Sequence, residues 1–211
     1  NIYDGIALSS PDPEDIIVTL DGDDWFARKD VLFLLNEAYN ASDCRMTYGS
    51  YAEYPGGKKG KFAKQIPPEW VAQRLLRRAP WQASHLRTFK YDLWKRIRVE
   101  VLQDSDGNFY RMAWDLAFMF PMLEMAGPKS LYIPEPLYVY NMSNPLNDHK
   151  IDNSLQVRTE SEIRQKPPYG TIVAEGTYAS TCIISPHNRF VYTYIPKVAC
   201  SSLKMALAPH F

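Results

Sequence analysis

Asp15-Ile16-Ile17-Val18-Thr19-Leu20-Asp21-Gly22-Asp23-Asp24-Trp25-Phe26 joins a β-branched apolar run to three carboxylates within four residues. The run follows a Pro-rich turn at 10–13 and predicts a buried strand over 15–20, parallel and central in its sheet. The carboxylates then sit at the C-terminal end of that strand, where open α/β sheets bind ligands. Like charges so close repel one another, so a stable arrangement calls for a bound cation or for hydrogen-bond donors. Hard divalent cations take carboxylate oxygens and fill their remaining positions with substrate phosphates. Asp21, Asp23 and Asp24 therefore point to a metal–diphosphate site. A helix cap with a solvated acidic turn is the competing account, because Asp-Gly pairs often build turns.

Outward from this stretch, apolar spacing predicts a helix over 29–39 and a strand over 45–51. A Gly/Lys loop follows at 55–61, and a helix is predicted over 68–77, with Pro67-Pro68 at its start. Residues 86–97 are amphipathic and basic, 104–108 read as a turn, and 115–126 form an apolar helix stopped by Gly127-Pro128. A short strand is expected at 131–133. Alternation of strand and helix predicts an α/β fold with a mainly parallel sheet.

Residues 158–175 read as a linker, charged and then rich in Pro. Beyond it a second strand–loop–helix pattern begins, with strands at 178–184 and 189–195 and a helix opening near Ser201. The expected organisation is one domain over 1–157, the linker, and the opening of another domain over 176–211.

Composition narrows the function classes. The 211 residues carry 24 Lys+Arg against 24 Asp+Glu, a formal charge of zero. A general nucleic-acid binder needs a basic surface, so that class is set aside. No apolar run reaches the roughly 18–20 residues of a membrane span, so no transmembrane segment is expected here. Cys44, Cys182 and Cys200 are few and widely spaced, which argues against a zinc site or a disulfide framework and mildly favours a reducing compartment. The expected location is cytoplasmic, with any membrane association left to parts outside this stretch. A start at Asn1 and a stop at Phe211, just inside a helical pattern, suggest a piece of a longer chain.

The run from Ile16 to Phe26 resembles the DxD motif of GT-A glycosyltransferases of the family 2 type. Two further strings follow in the order of that family. Arg111-Met112-Ala113-Trp114-Asp115-Leu116-Ala117 is similar to the segment carrying its catalytic base, although the family more often has Glu-Asp where this chain has Trp114-Asp115. Ile133-Pro134-Glu135-Pro136-Leu137-Tyr138-Val139-Tyr140-Asn141 resembles its late E-x-L-Y-x-Y stretch. Together they cover about residues 1–169 and imply a partial GT-A, Rossmann-like domain lacking the strands that normally precede the acidic motif.

By this resemblance Asp23 is the principal ligand of Mn²⁺ or Mg²⁺. Asp21 touches the metal or the ribose of a nucleotide-sugar, most simply a UDP-sugar, and Asp24 either orients the donor sugar or stands behind the metal ligands as their support. Asp115 is the general base toward a glycan acceptor, with capping of its helix as the alternative role. His149, in the late loop, completes the metal shell; a solvated loop histidine is the other reading. His85 is read as acceptor-side or structural, Trp81 as a sugar-stacking or a core residue, and Glu124 as a partner for Arg87 or Lys90.

Pro196-Lys197-Val198-Ala199-Cys200-Ser201-Ser202 has different chemistry. A strand delivers a Lys, small residues and two hydroxyls to a helix start, a combination suited to phosphate. The Gly-x4-Gly-Lys frame of a Walker loop is absent. The string resembles the 5′-phosphosulfate loop of carbohydrate sulfotransferases. That implies Lys197 at the bridging oxygen of the sulfuryl donor PAPS, and Ser201 and Ser202 at its 5′-phosphate.

The expected function is an inverting, metal-dependent glycosyltransferase in a parent chain fused to a sulfotransferase. The alternative is a carbohydrate sulfotransferase preceded by a degenerate glycan-binding module. A third reading is a non-enzymatic α/β protein with an incidental acidic turn.

Overall fold

The computed structural model describes residues 2–145 and 152–172, together with the backbone of strands Cys182–Ser185 and Phe190–Thr193. The chain divides into two compact units, Asn1–Thr171 and Ile172–Phe211. In the second, β7 (Cys182–Ser185) and β8 (Phe190–Thr193) pair as an antiparallel ribbon.

The first unit is mixed α/β. Its strands are β1 (Ile16–Thr19), β2 (Trp25–Phe26), β3 (Met46–Tyr54), β4 (Lys58–Lys59), β5 (Ser84–Lys90) and β6 (Ser130–Asn141). They form one sheet in the order β1-β5-β3-β6-β2, with β4 on β3. Its helices are α1 (Ile2–Ser9), α2 (Val31–Asn40), α3 (Pro68–Ala72), α4 (Tyr91–Trp94), α5 (Trp114–Ala126) and α6 (Asn153–Gln165). None of the described helices is long and apolar enough to cross a membrane.

The expectation of a mainly parallel sheet is corrected. Among the described strands only β3 and β6 run parallel; β1–β5, β3–β5, β3–β4 and β2–β6 are antiparallel. A parallel crossover needs a connection that carries the chain back along the whole strand. The helix between β3 and β5 has five residues, about 8 Å at 1.5 Å per residue, too short to retrace a strand. β1 is likewise not central: among the described residues it pairs with β5 alone and is half-buried throughout. An apolar β-branched run reveals that a strand is at least partly covered, not how many neighbours it has.

β6 absorbs both the predicted short strand and the later Tyr-rich string. Its register against β3 jumps between Ile133↔Gly49 and Pro136↔Ser50, because Pro134 and Pro136 have no N–H for the ladder and bulge out. Residues 153–165, partly assigned to a linker, form α6 instead. It is capped by Asp152, whose Oδ1 accepts the Leu155 N–H at 2.9 Å.

The core centres on α5, which is buried all round from Leu116 to Ala126. Phe118 meets Phe89, Trp94 and Trp114. Phe120 takes Trp81 edge-on and lies under the guanidinium groups of Arg77 and Arg164, which places Trp81 in packing. Glu124 pairs with Arg77, through bonds of 2.6 and 3.0 Å, rather than with Arg87 or Lys90. Arg77 also donates to the Ile163 carbonyl at 2.7 Å, tying α6 to α5.

Candidate active site

Residues 20–24 cross from the end of β1 to the start of β2, so the carboxylates lie in a loop bridging the two outer strands of the sheet. The Asp24 N–H donates to the Asp21 carbonyl at 3.1 Å and closes a tight turn. The three side chains then part company. Asp24 is buried, and both its oxygens are engaged: Tyr138 Oη–H donates to one at 2.6 Å and the Asn141 N–H to the other at 2.7 Å. Asp23 is exposed and accepts from Asn144 Nδ2. Asp21 is half-buried, and its N–H donates to Tyr138 Oη at 3.3 Å.

Tyr138 is fully buried on β6 and therefore fastens both ends of the acidic turn. Burial and the neighbouring carboxylates Asp21 and Asp24 keep its phenol protonated, so it serves as a fixed donor. His85 stacks on it with ring centroids 4.4 Å apart, and Tyr140 and Tyr51 complete an aromatic cage round the imidazole. Burial, with the Arg87 charge second, holds the imidazole pKa well below its ordinary range, so His85 is neutral.

Arg87 on β5 links this turn to α5. Its Nη2 donates to Asp115 Oδ2 at 2.5 Å and lies 3.4 Å from His85 Nε2. Its Nε is buried without a hydrogen-bond partner among the described residues. Asp115 sits in the first turn of α5, after Ala113 in a left-handed conformation. Ala113 occupies the cap position and has no side-chain acceptor, so Asp115 is an arginine partner rather than the cap. Asp21 belongs to the same group. Burial raises its carboxyl pKa above the ordinary value, the Arg87 guanidinium opposes that, and the charges of Asp115 and Asp23 add to it. Burial also raises Asp24, against the hydrogen bonds from Tyr138 and Asn141.

The fold thus links Asp115 to the acidic turn through Arg87, which lies 3.4 Å from the His85 ring, and Tyr138, which stacks on that ring and holds Asp24; the sequence marks neither Arg87 nor Tyr138 for this role. The Tyr138 signal lay in the resemblance of its string. Arg87 carries none, because it lies on a basic, amphipathic segment without a clear two-residue period.

Among the described residues no group of three or more His, Cys, Asp and Glu side chains is arranged to hold a metal ion. Asp24 is turned inward, which leaves Asp21 and Asp23 as the two hard oxygen donors fit for Mg²⁺ or Mn²⁺. Two carboxylates with substrate phosphates are a sufficient set for such an ion. His149, and Lys197, Ser201 and Ser202 of the Pro/Lys/Ser string, lie outside the described residues.

An apolar cavity of about 260 Å³ lies against Trp114, one residue before Asp115, and is walled by Tyr3, Trp94, Phe109 and Phe118. No carboxylate lines it, so it is separate from the acidic site. No protein-family model matches the chain, and no curated protein matches it.

Proposed function

We propose that the first unit is the catalytic part of an inverting, metal-dependent glycosyltransferase acting from a nucleotide-sugar, UDP-linked in the simplest case, on a glycan acceptor. The observation that carries it is a continuous contact path from Asp115 to the acidic turn: Arg87 Nη2 meets Asp115 Oδ2 at 2.5 Å and lies 3.4 Å from His85 Nε2, and His85 stacks on the Tyr138 that binds Asp24 and the Asp21 N–H. Asp21 and Asp23 would hold Mn²⁺ or Mg²⁺, which would supply charge neutralisation to the departing diphosphate.

Tyr138 and Asn141 hold Asp24 and so set the shape of the turn that meets the donor. Arg87 grips Oδ2 of Asp115, and Oδ1 is the oxygen left to take the acceptor proton. The acceptor oxygen then bonds to the anomeric carbon as the bond to the diphosphate oxygen breaks, and the anomeric configuration inverts.

Pro196–Ser202 supports a companion proposal, the start of a PAPS-binding sulfotransferase domain, on its string alone.

The test is calorimetric titration of the full-length protein with a UDP-sugar and Mn²⁺, beside the Asp23→Ala variant. Metal-dependent binding that the variant lacks is expected. Binding that ignores both metal and Asp23 would sink the proposal. In the full-length protein, loss of sugar transfer with retained sulfation in Asp23→Ala separates this reading from a sulfotransferase with a degenerate module.

A further inference from the structure

The geometry points to the hairpin over 54–64 as the recognition surface for an anionic sugar, a carboxylated or sulfated acceptor; this identity as acceptor rests on the transfer reading above. Four of the seven residues from Lys58 to Lys64 are lysine, and 54–68 contain no Asp or Glu. All four lysines are exposed. Lys59 Nζ donates to the Pro134 carbonyl at 3.1 Å. Lys58, Lys61 and Lys64 form no ion pair among the described residues.

Lysines on an edge strand guard against stray strand pairing. That accounts for Lys58 and Lys59 on β4, but Lys61 and Lys64 lie beyond the strand. Three exposed aromatic rings share the region. Tyr54 meets Trp25 edge-on at 5.2 Å, and Phe62 lies under the Lys61 ammonium at 5.0 Å. Aromatic faces cover the C–H faces of sugar rings, while ammonium groups meet carboxylate or sulfate as compact charges.

The register places this surface beside the carboxylate turn. Lys58 pairs with Glu53, and Glu53 with Tyr140, across one rung of the sheet. Trp25 pairs with Val139, so the next step of that antiparallel register sets Asp24 against Tyr140. Glu53, opposite Lys58, is the carboxylate facing the hairpin.

The loop is also built to hold its shape. Gly56 and Gly57 take φ of 110° and 67°, values that suit glycine. The Gly57 N–H donates to the Glu53 carbonyl at 2.8 Å, and the Gly60 N–H to the Tyr51 carbonyl at 2.9 Å. A rigid loop binds without the entropy loss of ordering itself.

The experiment uses the whole chain without donor or metal. It is titrated with a chondroitin hexasaccharide, its sulfated form, a neutral chitin hexasaccharide and a short single-stranded DNA. The anionic sugars should bind at least about tenfold tighter than the neutral one, and more weakly as salt rises. The combined Lys58→Gln, Lys61→Gln and Lys64→Gln variant should lose that preference at an unchanged melting temperature. Tyr54→Ala should weaken the anionic sugars and leave DNA unaffected.

Equal binding of neutral and anionic sugars, or a lysine variant that binds like wild type, overturns the inference. So does DNA binding as tight as that of the sugars and insensitive to Tyr54→Ala, the mark of a general polyanion surface. Anionic-sugar binding with no metal-dependent UDP-sugar binding would sink the transfer reading alone and leave the binding site standing.

Discussion

Arg87 and Asp115, 28 residues apart in sequence, meet in an ion pair of 2.5 Å whose side chains are 5% and 18% exposed. Removing one partner of so sheltered a pair strands the other charge and costs about 3–5 kcal/mol. Arg87→Met should therefore lower the melting temperature by roughly 6–20 °C for a unit of this size. Asp115→Asn keeps an oxygen for the guanidinium and should be far milder. On the proposed mechanism it should cut sugar transfer by about 10²–10⁴-fold without weakening nucleotide-sugar binding. Equal loss of fold and activity in the two variants would mark the pair as purely structural.

Tyr138→Phe removes the hydroxyl that donates to Asp24 and accepts from the Asp21 N–H. A buried carboxylate then loses one of its two donors, at about 1–3 kcal/mol. Urea denaturation should show a lower midpoint with an unchanged slope, and Mn²⁺ affinity should fall as the turn loosens.

His85 and Asp21 make opposite contributions to stability against pH. The folded His85 refuses a proton that the unfolded imidazole binds below about 6.5. Stability present above that pH is lost as it falls, with a slope of up to about 1.4 kcal/mol per pH unit. His85→Phe keeps a ring in the aromatic cage and should flatten the profile between pH 7 and 5.

Asp21 holds its proton more tightly folded than unfolded, so its contribution falls as pH rises above the ordinary value of 3.8. Asp21→Asn should melt higher than wild type at pH 7, with the gain shrinking toward pH 4. Mn²⁺ should stabilise wild type at pH 7 and the variant much less, read as the shift in melting temperature.

Gly60 lies so close to the Tyr51 ring that an added Cβ would fall 2.0 Å from Cζ. Tyr51 is buried and packs against His85 and Tyr140, so the ring has nowhere cheap to go. Gly60→Ala should destabilise by about 1–3 kcal/mol through overpacking, measured by chemical denaturation.

Much of the local structure was legible in the residues. Helix α5 falls within one residue of its predicted start because an all-apolar run ends at Gly127-Pro128, and strand β3 shows the same directness. The strand character of 84–90 is hidden, because its apolar residues Leu86 and Phe89 are three apart, a helical spacing, and the helix Tyr91–Trp94 follows at once. Strand direction is not written in the sequence in this way, since alternation of strand and helix says nothing about whether a connection is long enough to return parallel.

Local chemistry alone placed three carboxylates in one turn after an apolar strand and a lone Asp at the head of an apolar helix. Which carboxylate is buried and which shares an arginine followed from where β6 presents Tyr138 and Asn141 and β5 presents Arg87. Propensity and charge act over a few residues, and so can be read along the chain. Pairing of Tyr138 with Asp24, or Arg87 with Asp115, depends on strand order and register, which are set by the packing of the whole unit.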